Sequence, residues 1–315
     1  MRFLIVHNTR SGFGSDGIFE FERSLVSDGD ECVLRVLGAD TPAADLLQDA
    51  RDFDLVVCSG GDGTVASILS ELSNSGIPCC VFPSGTANLL FANIGNATEP
   101  AALARACRAG THAHVDLARI SATDDDGETL DRGYLLMCGM GYDADLMRAA
   151  IPNKQAMGEA AYFVAALSNP TPPTAHFTIT VDGEVHEVDG ITCMVANNAM
   201  IQADIEIIPD CRMDDGVLDV IVLQAADLGG IGRTLVHGIL DRSGKQLGRP
   251  SIKHLSGSHV HVHADRAMPL QVDGDVVDKT VTDYDVQVLP GAATIVVDQM
   301  SRYFADDKSQ ESGGR

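Results

Sequence analysis

The sequence predicts an N-terminal α/β domain followed by a C-terminal antiparallel β domain, and three observations carry that reading. Over residues 1–119, short apolar runs alternate with segments that are apolar at helical spacing, the pattern of a parallel sheet with helices on its faces. From about residue 120, short strands of alternating polarity replace it, the pattern of an antiparallel sandwich. Within the first stretch, the apolar run 55–58 passes through Ser59-Gly60-Gly61-Asp62-Gly63-Thr64 into Val65, Ile68, Leu69 and Leu72 at helical spacing.

Composition narrows the classes. A chain of 315 residues can hold two domains, and 45% hydrophobic residues support a globular core. A formal charge of −23 argues against nucleic acid as a partner. No apolar run is long enough to span a bilayer. Residues 1–6 are too short for a signal peptide and read as the first strand. Eight cysteines without a CxxC motif read as buried thiols in a reducing cytoplasm.

Residues 2–7 form the first strand. Gly12 to Gly17 matches GxGxxG, but Thr9, Arg10 and Ser11 separate it from the strand and the helical pattern starts only at Ile18, so it reads as a loop. A second strand covers 32–37. Residues 42–50 read as a helix with Thr41 as N-cap and Pro42 at N1. After the glycine turn, strand 77–82 leads into Pro83-Ser84-Gly85-Thr86-Ala87-Asn88 and a helix over 89–94. A helix over 100–109 ends at Gly110, and a strand covers 115–120.

Beyond the domain boundary, placed near Arg119, strands are expected at 134–138, 176–181, 191–196, 218–223, 259–263, 270–272 and 286–289. Helices are expected at 142–150 and 158–167. Residues 124–128 form an acidic turn, and 305–315 have the composition of a disordered tail. His259, His261 and His263 share one strand face and read as solvated rather than metal-binding. The run from Arg233 to His254 carries five basic residues, Arg233, Arg242, Lys245, Arg249 and Lys253, against Asp241. With Leu228, Ile231, Leu235 and Ile239 ahead of it at helical spacing, it reads as a core-packed helix, with membrane docking as the alternative.

Chemistry concentrates in the glycine turns. Strand, glycine-rich turn and helix present bare N–H groups and a helix N-terminus to an anion. A carboxylate such as Asp62 repels phosphate unless a metal ion lies between them. Gly60-Gly61-Asp62-Gly63-Thr64 resembles the GGDGT signature of diacylglycerol, sphingosine and NAD kinases. Pro83 to Asn88, running to Gly95, is similar to the PxGTxN segment of bacterial lipid kinases of the diacylglycerol-kinase type. The Asn-Glu pair of NAD kinases is absent; Asn197-Asn198 lacks the acid.

The resemblance spans nearly the whole chain and implies a Rossmann-like three-layer α/β domain over 1–119, to which 294–304 return, and a β-sandwich lipid-substrate domain over 120–293. It implies ATP contacts at Asn8, Ser11 and Gly12, at Thr41, at Gly60, Gly61, Asp62, Gly63, Thr64, Val65 and Ala66, and at Thr86 and Asn88. Gly139-Met140-Gly141-Tyr142-Asp143-Ala144 resembles the segment that opens the second domain of the family. The run from Pro209 to Val220 resembles its magnesium loop, with Cys211 in place of alanine; carried over, the ligands are the Asp215 carboxylate and the carbonyls of Arg212 and Val217.

Val272-Asp273-Gly274-Asp275 stands where the family has Asp-Gly-Glu. A lipid hydroxyl needs a carboxylate to take its proton as phosphorus is attacked. Asp273 is the expected general base and Asp275 the second candidate; read alone, the segment is a D-G hairpin turn. The resulting expectation is an ATP- and Mg2+-dependent kinase of a lipid hydroxyl, first of all diacylglycerol, cytoplasmic, meeting its substrate peripherally at the inner membrane face, with a homodimer as candidate assembly. The alternatives are an NAD kinase and a non-catalytic nucleotide- or lipid-binding relative.

Overall fold

The computed structural model describes residues 1–11, 16–38, 41–124, 126–157, 172–201, 205–224 and 251–304, together with 237, 240, 241, 243 and 245; side chains are described up to 149 and again from 172. The chain divides into two compact units, one of Met1–Val115 with the segment that begins at Gly291, the other of Asp116–Pro290. The sequence had placed these limits near Arg119 and Thr294.

In the first unit, β1 (Arg2–His7), β2 (Glu31–Val36), β3 (Leu55–Gly60) and β4 (Pro78–Pro83) form a parallel sheet in the order β2-β1-β3-β4. Thr294 and Ile295 add a further parallel edge beside Pro78 and Cys79. The inner strands are apolar on both faces because helices cover both: Phe3, Leu4, Ile5 and Val6 are fully buried, as is all of β3. Helix α1 (Gly17–Ser27) buries Ile18, Phe21 and Leu25, one stripe at helical spacing, and packs against α5 (Pro100–Ala109). Gly110, at φ +70, ends α5 as expected.

The expected helix over 42–50 is much shorter. Helix α2 covers only Ala43–Leu46, and Pro42 is its N-cap rather than its first residue. The Arg35 guanidinium donates to the Leu46 carbonyl (2.7 Å) and to the Asp49 carboxylate, taking the acceptor that a continuing helix would use. The chain resumes as a 3₁₀ turn at Ala50–Asp52.

The second unit is antiparallel. Strands β13 (Leu218–Leu223), β10 (Thr192–Ala196) and β7 (Met137–Gly141) run side by side, with β14 (Ile252–Gly257) outside β13 and β15 (His259–Val272) beside β7. Strand β15 also pairs with β8 (Ala175–Val181) and β16 (Asp275–Val296), and β8 with β9 (Glu184–Gly190). Strands β5 (His112–Asp124) and β6 (Thr129–Tyr134) form a hairpin. Alternate residues of these strands fill one core around Tyr134, Phe177 and Tyr284. Both tyrosine hydroxyls are satisfied inside it, donating to the carbonyls of Val195 and Cys193 at 3.0 Å.

Three expectations change here. The single strand over 134–138 is two, β6 and β7, parted at Leu135 and Leu136. The two strands 259–263 and 270–272 are one, β15, whose pairing with β16 slips between His263 and Met268. Helix α6 runs Tyr142–Met157 rather than stopping at 150. The helix over 158–167 and the tail 305–315 lie outside the described residues.

Candidate active site

In the first unit, the two glycine turns leave the carboxyl ends of the adjacent strands β3 and β4, where open α/β sheets bind ligands. Gly61 caps helix α3 (Asp62–Glu71), and the Val65 N–H already bonds the Gly61 carbonyl (3.1 Å). The N–H groups of Asp62, Gly63 and Thr64 therefore form the open helix start. A methyl group on Gly63 would meet nothing within 4 Å, so its bare backbone faces free space. The two turns touch backbone to backbone: a Cβ on Gly85 would overlap the Gly61 Cα.

Side chains tie the turns together. Asn8 donates to the Thr64 hydroxyl (2.8 Å), and the Gly61 N–H donates to Ser11 Oγ (3.3 Å). Asp62, the carboxylate expected to face a metal ion, accepts the Leu90 N–H (3.0 Å) with one oxygen at the start of α4 (Leu89–Ile94). Asn88, at φ +48, closes its own loop by accepting from the Gly85 N–H and donating to the Gly85 carbonyl. The side chains of Val65 and Ala66, expected among the nucleotide contacts, are buried on the core side of α3. Thr86 is exposed beside these groups. Thr41 sits over Gly38 in the loop after β2, with no bond to the turns among the described residues. Gly12 lies outside them. Beneath the turns, His7 Nδ1, Ser59 Oγ and Ser84 Oγ form a buried hydrogen-bonded row that no sequence motif announced.

In the second unit, Asp273 (φ +50) and Gly274 (φ +84) make the tight turn that joins β15 to β16, so the hairpin reading of this segment holds. The turn also does something local sequence does not show. The Asp273 carboxylate accepts the N–H groups of Leu135 (2.9 Å), Leu136 (2.8 Å) and Met137 (3.2 Å) at the β6–β7 break. The residue keeps some exposure, but its carboxyl is the enclosed part. Burial pushes the carboxyl up to about 6, against the pull of those three N–H groups and of Arg132. Asp275 is exposed, 3.8 Å from the Arg132 guanidinium.

A second buried carboxylate supports this turn. Gln271 accepts the Gly274 N–H (2.9 Å) and donates to Asp143 (3.0 Å), which also accepts from Thr192. Burial holds the Asp143 carboxyl above its ordinary value. Gly139 is glycine because a Cβ there would collide with that carboxylate.

The Asp215 loop gathers negative charge. Asp215 accepts the Val217 N–H (3.1 Å), and the buried Asp116 accepts the Gly216 N–H (2.7 Å). Burial raises the Asp215 carboxyl, and the neighbouring Asp116, Asp219 and Asp214 add to the rise. Arg212 pairs with Asp214 through both guanidinium arms at 2.6 Å. No cluster of three acidic, histidine or cysteine side chains among the described residues is arranged to hold a metal, so a cation here would depend on backbone carbonyls.

Elsewhere, His261 and His263 lie against Asp285 and Asp283 on an exposed strand face. All eight cysteines are free thiols; seven are buried and Cys32 is half-buried. Most of the basic run 233–254 is outside the described residues; within it, Lys245 pairs with Asp210 (2.6 Å) and His254 with Asp219 (2.7 Å). No described helix is long and apolar enough to cross a membrane.

Comparison with known proteins sets this geometry in context. Residues 2–120 match the model of the diacylglycerol kinase catalytic domain, and 137–297 match that of the YegS C-terminal NAD kinase beta sandwich-like domain. A probable lipid kinase YegS-like from Stenotrophomonas maltophilia is 27% identical over 303 residues, covering 92% of this chain and 94% of that one. An uncharacterized protein of Synechocystis is 25% identical over 87% of this chain, which spans only 60% of that relative's length. The crystal structure of a putative diacylglycerol kinase from Bacillus anthracis superposes with a TM-score of 0.73 over 95% of both chains at 20% identity, a likeness of fold.

Proposed function

Since the chain belongs to the kinase family that joins a diacylglycerol kinase catalytic domain to a YegS-type β-sandwich, we propose that it transfers the γ-phosphate of ATP to a lipid hydroxyl, converting diacylglycerol to phosphatidic acid. The observation that carries the reading is Asp273: an enclosed carboxyl raised to about 6, close to the range in which a general base works best. A carboxylate has about four acceptor positions, and three backbone N–H groups occupy three of them. The position left is fixed in direction, a fit for receiving the proton of an alcohol.

The turns at Gly60–Thr64 and Gly85–Asn88 supply the other half. Bare N–H groups at the start of α3 suit the phosphates of a nucleotide, and Asn8 and Ser11 hold that start in place. The Asp215 loop is the place for a hard cation: burial and the neighbouring Asp116, Asp219 and Asp214 disfavour the bare charge on Asp215, and a cation held there with backbone carbonyls would offset them. Asp215 and the carbonyls of Arg212 and Val217 would hold it. Magnesium supplies neutralisation of charge on transferring phosphates in reactions of this class. A lipid substrate implies contact with a membrane surface.

The sandwich does not choose the substrate, since the domain it matches is NAD kinase-like. The test offers labelled ATP with magnesium to diacylglycerol in mixed micelles and, separately, to NAD. Label in the lipid supports the proposal; label in NAD alone, or in neither, overturns it.

A further inference from the structure

His7, Ser59 and Ser84 stand at the carboxyl ends of three neighbouring strands, β1, β3 and β4. His7 Nδ1 lies 2.9 Å from Ser59 Oγ, and Ser59 Oγ lies 2.8 Å from Ser84 Oγ. All three residues are buried, Ser59 completely. Ser59 immediately precedes Gly60 and Ser84 immediately precedes Gly85, so each hydroxyl sits at the root of one glycine turn.

Burying three polar groups in a row is costly unless each finds a partner, and apolar residues of the same size would fill the space at less cost. The backbone ladder pairs β3 with β4 up to Gly60 and Pro83, and the 2.8 Å bond between hydroxyls adds a side-chain tie at the strand tips, just below the point where Gly61 and Gly85 meet. Ser84 N–H to the Gly60 carbonyl (3.3 Å) and Asn8 N–H to the Ser59 carbonyl (2.9 Å) lie in the same layer. Each link holds one hydrogen: if Nδ1 accepts, Ser59 donates to it and Ser84 must donate to Ser59, whereas a protonated Nδ1 leaves Ser59 free to donate to Ser84. The ring itself is held edge-on to Phe19, with centroids 6.4 Å apart.

We propose that His7 is a positioning residue for the two glycine turns: through Ser59 and Ser84 it holds them at the spacing that receives a nucleotide. The geometric half stands on the hydrogen-bonded row, and the nucleotide half rests on the function proposed above. Burial favours the neutral ring.

The experiment separates hydrogen bonding from packing. His7→Phe keeps the ring and its contact with Phe19 but removes the bond to Ser59. His7→Asn loses the ring but places an amide group near the position of Nδ1. Amide hydrogen exchange over residues 60–64 and 85–88, without nucleotide, reads the turns directly; calorimetric titration with magnesium–ATP reads binding; the melting temperature reads packing. His7→Phe should speed exchange in both turns and weaken ATP binding, each by about tenfold, while its melting temperature falls less than that of His7→Asn. His7→Asn should keep exchange and binding near wild type while melting earlier. Exchange that is equal in the two variants, or that simply follows melting temperature, would overturn the positioning role. Turns that loosen in His7→Phe in a protein that binds no ATP would keep that role and overturn the nucleotide reading instead.

Discussion

Gly61 and Gly85, from two different turns, approach so closely that the backbone of one occupies the space of a side chain on the other. A side chain on Gly85 must push the turns apart, whereas one on Gly61 would only reach ordinary contact with the Gly85 Cα (3.5 Å) and one on Gly63 would meet nothing. The pair therefore separates packing from binding. Gly85→Ala should destabilise the protein by about 1–3 kcal/mol, the usual cost of overpacking, and weaken ATP binding. Gly63→Ala should leave stability unchanged or raise it by about 0.5–1 kcal/mol, because alanine is the better helix former. If the bare backbone at Gly63 meets phosphate, ATP binding should still fall. Thermal melts and calorimetric Kd values on both variants check this.

Asp62 joins the first turn to the second through the Leu90 N–H. An asparagine keeps an oxygen that can accept this bond but loses the negative charge. Asp62→Asn should melt within about 0.5 kcal/mol of wild type yet lose roughly a hundredfold in magnesium-dependent turnover. Asp62→Ala should lose stability as well. Turnover of Asp62→Asn near wild type would confine the residue to its cap.

The parts of this molecule that local sequence determines were legible in it. Apolar runs 2–7, 55–58 and 77–82 became central strands because helices bury both their faces, and Gly110 closed α5 through its positive φ. What was not legible depended on distant partners. Helix α2 stops early because Arg35, from the strand before it, takes the Leu46 carbonyl. The segment 272–275 reads locally as a turn, and so it is. The three N–H groups that grip Asp273 come from residues 135–137, which no spacing rule could bring to it. Gln271 belongs to no motif, and the row of His7, Ser59 and Ser84 appears only when three strands are set side by side.

Gln271 is fully buried between Asp143 and the Gly274 N–H, so its loss would leave both short of a partner. Gln271→Leu should cost about 1–3 kcal/mol, the penalty for an unsatisfied buried polar group. Gln271→Met fills the space with a flexible chain and should not restore the loss, since shape is not what Gln271 contributes. Chemical denaturation of the two variants checks this. Equal stability of Gln271→Leu and wild type would show that the bridge carries no net weight.

The pH dependence of Asp273 links stability and chemistry. Its carboxyl titrates at about 6 in the folded protein, against an ordinary value of 3.8. The folded state therefore binds the extra proton between these values, and the stability Asp273 contributes is present below about pH 4 and lost as pH rises through about 6. Catalysis runs the other way, because a general base works only when ionised. The kcat/KM for lipid phosphorylation should fall about tenfold per pH unit below 6 and level off above it. Asp273→Asn should remove that acid limb and lower kcat by roughly a hundredfold or more while leaving ATP affinity nearly unchanged. An asparagine can still accept two of the three N–H groups with its one oxygen, so a fold control is needed, and the melting curve provides it. A variant that melts normally, keeps its rate and keeps its acid limb would move the base to Asp275. That carboxylate is exposed beside Arg132, and Asp275→Asn would then be the substitution that removes the limb.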